Sequence, residues 1–208
     1  MQTAQGYYGF DIVMMNNICD ILKRKCQYIK LPFTQVITAV ASGDANVAVS
    51  ALTISLERAK LVNFSTPYLI SECLFIGPIQ YKNTKINHDF LQQKQIGIKK
   101  GSIFYQELLA LGVNADNISG YNTETELIDA LNKNAIDLAL MDNYVAKYWE
   151  AASQGAFVTL GKPYPFGSLG IAVDPRDIKL LSDINRALSQ FLQSQEYKNT
   201  YQTYLEFF

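Results

Sequence analysis

The sequence contains little of what metal centres require. It has one histidine, His88, and three cysteines, and these residues form no cluster with metal-ligand spacing. Acidic and basic residues nearly cancel to a formal net charge of −1, so no electrostatic footprint points to nucleic acid or to an anionic membrane surface. We therefore expect no metal, no cofactor and no nucleic-acid partner.

Long apolar runs are also missing from the sequence. A membrane-spanning helix needs about 20 consecutive, mainly apolar residues, and the chain contains no such run. The opening stretch MQTAQGYYGF has neither a basic start nor an apolar core, so we expect no signal peptide within the chain as given. If the protein is exported, that peptide has been removed or lies upstream of Met1.

The remaining composition is that of a globular protein. The chain has 208 residues, of which 49% are hydrophobic and 18% charged, and this length suffices for one large or two small domains. Helical and strand patterns alternate almost throughout, which predicts an α/β protein with mainly parallel sheets. Asp11 is the predicted N-cap of the first helix. From about Pro175 the chain is predicted to be helical, with an apolar stripe that packs in the core: Ile178, Leu181, Ile184, Leu188 and Leu192.

Two halves of the chain repeat a similar order of strands and helices, each ending in an apolar strand and a polar residue. The first contains the strand CQYIKLP, the helix FTQVITAVASGD ended by Gly43, and the buried strand NVAVSAL. The second contains the strand KQIGIKKG, the helices SIFYQELLALG and TETELIDALNKN, and the strand IDLALMD. We predict two lobes, residues 1–70 plus 170–208 and residues 71–169, joined by two crossing strands.

Charged and polar residues follow the predicted strand ends, where ligands of open α/β sheets bind. They are Ala51, Thr53 and Arg58 in the first half and Lys99, Ser102, Ile103 and Asp142 in the second. A buried free amino acid needs a partner for each of its two charges, and arginine offers a two-point grip on a carboxylate. An ammonium group can donate hydrogen bonds to the Ala51 carbonyl, the Thr53 hydroxyl and the Asp142 carboxylate. Gly101 forms a turn before a helix, so the Ser102 and Ile103 amides are expected to point at an anion.

Each of these residues also has a purely structural explanation. Arg58 can be a solvated helix residue behind a Ser55 cap, and Asp142 can be the N-cap of the following helix. Lys99 can be a solvated strand end, and Phe33 a core residue. The sequence alone leaves both the ligand-binding and the structural explanation open for each of these residues.

The spacing of Cys19 and Cys26 equally allows a short disulfide or two reduced thiols. Cys73 is expected to be a buried free thiol.

Several stretches, in order, resemble the polar amino-acid-binding proteins of bacterial ABC importers, the family-3 solute-binding group with the type II periplasmic-binding fold. They are GFDIVMMNNICDILKRK, ALTISLERAKLVNFSTPYL, IGIKKGS, AIDLALMDN and EYKNTYQTYLEFF. The resemblance implies a periplasmic protein that delivers an amino acid to a membrane permease. It assigns the α-carboxylate to Arg58, main-chain contacts to Thr53 and the Ala51 backbone, and the α-ammonium to Asp142.

The same resemblance implies roles for five further residues. Ile103 falls where the family uses a backbone amide, and Phe33 where an aromatic ring flanks the ligand side chain. Cys19 and Cys26 coincide with a disulfide pair of histidine-binding and lysine/arginine/ornithine-binding members, which implies an oxidising compartment. Lys99 resembles a lysine of glutamine-binding members, so glutamine is the first predicted ligand, with arginine and histidine next.

The chain also departs from the family pattern. Ala51 stands where relatives carry Gly or Ser, and Ile103 offers only its amide. Family members begin with a strand and a loop before the GFD motif, so the first strand of lobe 1 is expected to be missing here or replaced by a swapped segment. A monomer is expected unless another chain supplies that strand.

The expected mechanism is ligand capture between the two lobes without catalysis. Ligand is expected to stabilise a closed form, which the permease then binds. The alternative is an enzyme like the cyclohexadienyl dehydratases, which resemble these binding proteins throughout. His88 is predicted to lie in a surface loop, which leaves Glu72 as the carboxylate to consider for catalysis. Incubation with prephenate or arogenate, with detection of an aromatic product, would separate the two functions.

Overall fold

The computed structural model describes residues 2–3 and 6–206. The chain forms two compact units. The first unit contains the residues up to Ile70 and those from Gly167 onward, and the second is Ser71–Phe166. The prediction from sequence placed the return to the first unit at residue 170.

The helices and strands have the following bounds. The chain begins with β1 Gln2–Thr3, β2 Gly6–Tyr7, α1 Phe10–Ile21, α2 Val36–Ser42, β3 Val47–Ala48, α3 Leu56–Ala59 and β4 Asn63–Phe64. It continues with β5 Leu69–Pro78, α4 His88–Gln92, β6 Ile96–Lys99, α5 Phe104–Ala110, β7 Ile118–Tyr121, α6 Glu124–Asn132, β8 Leu138–Asp142, α7 Asn143–Ala152 and β9 Phe157–Leu169. The last elements are β10 Ala172–Val173, α8 Ile178–Leu192 and α9 Gln195–Leu205.

The sheet of the first unit has the strand order β3-β10-β4. The returning strand β10 pairs antiparallel with both of its neighbours, so the expectation of a mainly parallel sheet is wrong here. The predicted strand NVAVSAL is also shorter than expected, since only Val47–Ala48 belongs to β3. Side chains of α1, α8 and the returning chain form the core beneath this sheet, among them Met14, Ile18, Ile171, Val173, Ile184, Leu188 and Phe191.

The predicted strand CQYIKLP is not a strand, because residues 24–32 adopt neither helix nor strand. A cavity of about 550 Å³ has Gln27, Tyr28 and Ile29 of this segment and Val47 and Ala48 of β3 in its lining. Apolar side chains of α1, α2 and α8 complete the lining: Met15, Ile18, Leu22, Ala39, Leu180 and Ile184. A strand needs a hydrogen-bonded neighbour, and the described sheet of this unit, β3-β10-β4, does not include this segment. The absence of the first strand of lobe 1 stays a prediction.

The sheet of the second unit has the strand order β7-β6-β8-β5-β9. The strands β7 and β8 pair parallel with β6, whereas β5 pairs antiparallel with β8. Leu138, Ala139 and Leu140 of β8 are fully buried, as expected for a central strand covered on both faces. Because β6, β7 and β8 run in the same direction, their carboxyl ends lie at one edge of the sheet.

Local signals in the sequence explain where several helices begin and end. Gly43 ends α2 in the left-handed conformation, with φ 89°. The Thr123 hydroxyl accepts a hydrogen bond from the Glu126 N–H at 3.1 Å and caps α6. The predicted stripe of α8 is wrong at its first position, because Ile178 is 62% exposed. Across residues 2–3 and 6–206, no helix has the length and hydrophobicity needed to cross a membrane.

Candidate ligand-binding residues

Arg58 is held in place by its own unit. The Ser55 hydroxyl caps the short helix α3 by accepting a hydrogen bond from the Arg58 N–H at 3.3 Å. The Arg58 Nη1 donates to the Thr53 carbonyl at 2.8 Å, and the guanidinium carbon lies 5.7 Å from the centroid of the Phe33 ring. A solvated helix arginine does not have such contacts. Arg58, Thr53 and Phe33, predicted separately from the sequence, are therefore brought together.

The returning chain fixes the backbone at Thr53. This residue is 6% exposed and forms an isolated antiparallel bridge with Leu169, and the next residue, Ile54, donates its N–H to the Ser168 carbonyl at 2.8 Å. A Cβ atom at Gly167 would lie 2.8 Å from the Thr53 Cγ2, so the close approach requires glycine at that position. The Thr53 carbonyl that holds Arg58 is thus set by a tertiary contact.

Ala51 adopts an unusual backbone conformation that Asp11 supports. Its φ is 47°, in the left-handed region that favours glycine. The Ala51 N–H donates to the Asp11 Oδ2 at 2.8 Å, and the Tyr68 hydroxyl donates to the Asp11 Oδ1 at 2.9 Å. Burial raises the pKa of Asp11 above its ordinary value, and these two hydrogen bonds partly oppose the rise.

The prediction that Asp11 caps the first helix is therefore wrong. Gly9 occupies the N-cap position, and Asp11 lies in the first turn of α1. The role of Asp11 beside the Ala51 backbone was missed by sequence reasoning. The residue is part of the quoted GFD stretch, but only the folded chain places position 11 next to position 51.

Asp142 is the last residue of β8 and occupies the N-cap position of α7, yet its side chain makes no capping hydrogen bond. The Asp142 side chain therefore does not cap α7, contrary to the structural explanation considered above. Asp142 pairs across the sheet with Cys73 of β5. Its carboxyl group lies at the edge of the second unit where the parallel strands end, which agrees with its position in the prediction.

The turn that follows β6 differs from the expected anion site. The Ser102 N–H and hydroxyl both donate to the Lys99 carbonyl, at 3.2 and 2.7 Å. The prediction that the Ser102 amide points at a ligand is wrong, because the turn itself uses that donor. Ile103 directly precedes α5, and its amide contact with a ligand stays a prediction.

Lys99 forms an ion pair that sequence reasoning missed. Its Nζ lies 2.6 Å from the Glu124 Oε1, and the two side chains are 24% and 37% exposed. Lys99 is therefore not a solvated strand end. The stretch TETELIDALNKN predicted the helix that begins here, but nothing in that stretch indicated that Glu124 contacts Lys99.

Similarity to known proteins identifies the family of this chain. The sequence matches the family model of bacterial extracellular solute-binding proteins, family 3, over residues 1–207. The chain belongs to this family. It is 29% identical to an arginine-binding periplasmic protein of Mannheimia haemolytica, over 95% of this chain and 81% of that protein. It is 28% identical to the ABC transporter arginine-binding protein 1 of Escherichia coli K12, over 87% of this chain and 74% of that protein.

A solved structure supports the fold of this solute-binding protein. An ancestral arginine-binding protein bound to glutamine superposes with a TM-score of 0.88 at 25% identity, over 99% of this chain and 91% of that one. The predicted family and the predicted type II periplasmic-binding fold are confirmed. Family members are extracellular or periplasmic proteins that bind solutes, and the relatives named above are binding proteins for an amino acid.

The cysteines of this solute-binding protein have distinct states. Cys19 and Cys26 form a disulfide, with Cα atoms 6.1 Å apart, that ties the end of α1 to the segment beside the cavity. Cys73 is fully buried, and burial raises the pKa of its thiol to about 12. It therefore stays protonated near neutral pH.

The residues considered for catalysis have structural contacts. The Glu72 Oε2 accepts a hydrogen bond from the Asn143 Nδ2 at 3.0 Å. His88 begins the short helix α4, so its predicted place in a loop is wrong, and its side chain is 58% exposed. Within the part of the chain that the structure describes, no three His, Cys, Asp or Glu residues are grouped to hold a metal ion.

Proposed function

We propose that this solute-binding protein captures a free polar L-amino acid and delivers it to the permease of an ABC importer. In this proposal Arg58 binds the α-carboxylate, and Thr53 and the Ala51 backbone contact the main-chain groups of the ligand. Asp142 binds the α-ammonium, and Phe33 flanks the ligand side chain. Both charges of the amino acid then have partners, which its burial requires.

One observation carries the proposal, namely the way in which Arg58 is held. Its Nη1 bonds to the Thr53 carbonyl at 2.8 Å, and its guanidinium stands over the Phe33 ring. A guanidinium has five N–H donors in a fixed plane, and the contacts with the Thr53 carbonyl and the Phe33 ring orient that plane. An oriented guanidinium binds a carboxylate with less loss of side-chain entropy than a freely rotating one.

Arginine is the first ligand that we propose, ahead of the glutamine predicted from sequence. The glutamine prediction rested on the positive charge of Lys99, and Glu124 neutralises that charge at 2.6 Å. Two relatives are named for arginine. Glutamine is the second candidate, since it occupies one structural neighbour, and histidine the third.

We also propose that bound ligand favours a closed form of the protein, which the permease recognises. Only a ligand with higher affinity for one form shifts such an equilibrium. Small-angle scattering tests this part of the proposal, because closure predicts a smaller radius of gyration at saturating ligand. An unchanged radius in a protein that binds the ligand would contradict it.

Binding measurements with matched variants test the proposed function. A thermal-shift screen of the twenty amino acids should show a higher Tm with the ligand, because ligand binds only the native state. Calorimetry should then show that Arg58→Ala weakens binding by a factor of about 100 or more, since the change leaves a buried carboxylate unpaired. Arg186→Ala, which removes an exposed partner of Asp183, should bind normally. Equal affinity of the two variants would refute the assignment.

A further inference from the structure

The ion pair of Lys99 and Glu124 lies at the edge of the sheet that also presents Asp142. Lys99 ends β6, and Glu124 begins α6 three residues after the end of β7. The parallel register pairs Lys99 with Tyr121 and Gly97 with Ala139. Continued by two residues, this register places Lys99 beside Met141, the residue that precedes Asp142, so Lys99 and Asp142 both lie where the parallel strands end.

The pair presents both a cation and an anion at this edge. The Lys99 Nζ lies 2.6 Å from the Glu124 Oε1. The Lys99 side chain is 24% exposed and the Glu124 side chain 37%. Glu124 carries a second carboxylate oxygen, and a carboxylate accepts a guanidinium in a two-point geometry. Lysine alone at this place would repel a cationic ligand side chain, whereas the neutralised pair does not.

We propose that Glu124 determines the ligand class, and this inference rests on the proposed function. Glu124 cancels the charge of Lys99 and accepts the cationic end of the ligand side chain through its carboxylate. The protein therefore selects cationic amino acids over neutral ones of the same shape. Lys99 limits that preference, because it competes with the ligand for the same carboxylate.

Arginine and citrulline provide a matched pair of ligands, because citrulline carries a neutral ureido group in place of the guanidinium. Calorimetry gives the ratio of arginine affinity to citrulline affinity for the wild type and for two variants. Glu124→Gln keeps the size of the side chain and should lower this ratio by about tenfold, since it leaves Lys99 opposite the ligand cation. Lys99→Met should raise the ratio, because the Glu124 carboxylate then has no lysine partner that competes with the ligand cation.

The ratio separates this inference from a purely structural role. If the pair only holds α6 against β6, each variant lowers the Tm and changes both affinities by the same factor, which overturns the inference. A ratio that moves in the same direction in both variants overturns it as well. Asp183→Asn removes an ion pair on α8 with an Nζ–Oδ2 distance of 2.8 Å and should leave the ratio unchanged.

The proposed function and this inference can fail separately. A wild type that binds none of the twenty amino acids refutes the proposed function. A wild type that binds an amino acid but does not prefer arginine to citrulline refutes only the role of Glu124. If Glu124→Gln does not fold, the opposite shift expected for Lys99→Met still decides the matter.

Discussion

The Asp11 carboxylate and the Ala51 N–H are joined by a hydrogen bond of 2.8 Å between residues forty positions apart in the sequence. The bond links the first turn of α1 to the segment that carries Ala51, Thr53 and Arg58. Ala51 has a φ of 47°, a conformation that costs about 1 kcal/mol or more in a non-glycine residue. Asp11 therefore stabilises a backbone geometry that the local sequence disfavours.

We predict that Asp11→Ala weakens both stability and ligand binding. The change removes the acceptor of two donors, the Ala51 N–H and the Tyr68 hydroxyl. The free energy of unfolding should fall by about 1–3 kcal/mol, and ligand affinity should fall because Ala51 is no longer held. Urea denaturation and calorimetry measure the two effects. Asp20→Ala, at an exposed position of the same helix, is the control, and similar values for both variants would contradict the prediction.

The raised pKa of Asp11 predicts a specific dependence of stability on pH. Burial moves the pKa above its ordinary value of 3.8 in the native state, so the native protein binds this proton more readily than the unfolded chain does. The stability contributed by Asp11 is therefore complete below pH 3.8 and declines as the pH rises through the native pKa. The stability difference between wild type and Asp11→Asn should follow this decline. A difference that grows with pH in that range would contradict the assignment.

We predict that Asp142→Asn weakens ligand binding by about tenfold or more. The variant keeps the size of the side chain but removes the negative charge that binds the ammonium group in this proposal. Asp137 is the matched control, because its carboxylate accepts from the Gln95 N–H at 2.8 Å within the same unit. Asp137→Asn should lower the Tm and leave affinity unchanged, and the reverse pattern would place the ammonium site elsewhere.

The cavity in the first unit predicts that a larger side chain stabilises the protein. Ala39 lines the space of about 550 Å³, so Ala39→Leu should raise the free energy of unfolding by about 1 kcal/mol. Ala146 of the second unit is fully buried in a packed core, and Ala146→Leu should instead lower it by about 1–3 kcal/mol. Denaturant titrations of the two variants test the contrast. Destabilisation by both changes would show that the cavity does not accept a side chain.

The state of the cysteines predicts the thiol chemistry of the native protein. Cys73 is fully buried with a pKa of about 12, so it should not react with a coloured thiol reagent until the chain unfolds. Without a reductant, the unfolded protein should then show a single thiol, because Cys19 and Cys26 are paired. Cys73→Ser should show none under the same conditions. Three reactive thiols in the unfolded wild type would contradict the disulfide.

Local patterns account for much of what could be predicted. The caps of α6, α2 and α3 follow from short motifs, because each capping residue contacts a residue only a few positions away. These capping residues are Thr123, Gly43 and Ser55. The apolar run at Leu138–Leu140 is buried for the same reason, since an unbroken hydrophobic segment of this length fits a covered strand. The segment CQYIKLP has the same local pattern but is no strand, because a strand also needs a hydrogen-bonded neighbour and the sheet β3-β10-β4 does not include this segment.

The sequence by itself determined the order of the elements, the family and the candidate residues Arg58, Thr53 and Asp142, because periodicity and motifs are local properties of the chain. The tertiary structure alone decided the partners of those residues. The contact of Asp11 with Ala51 and that of Lys99 with Glu124 join distant positions. Such contacts depend on which backbone segments the fold brings within hydrogen-bonding distance, and no local pattern encodes that distance.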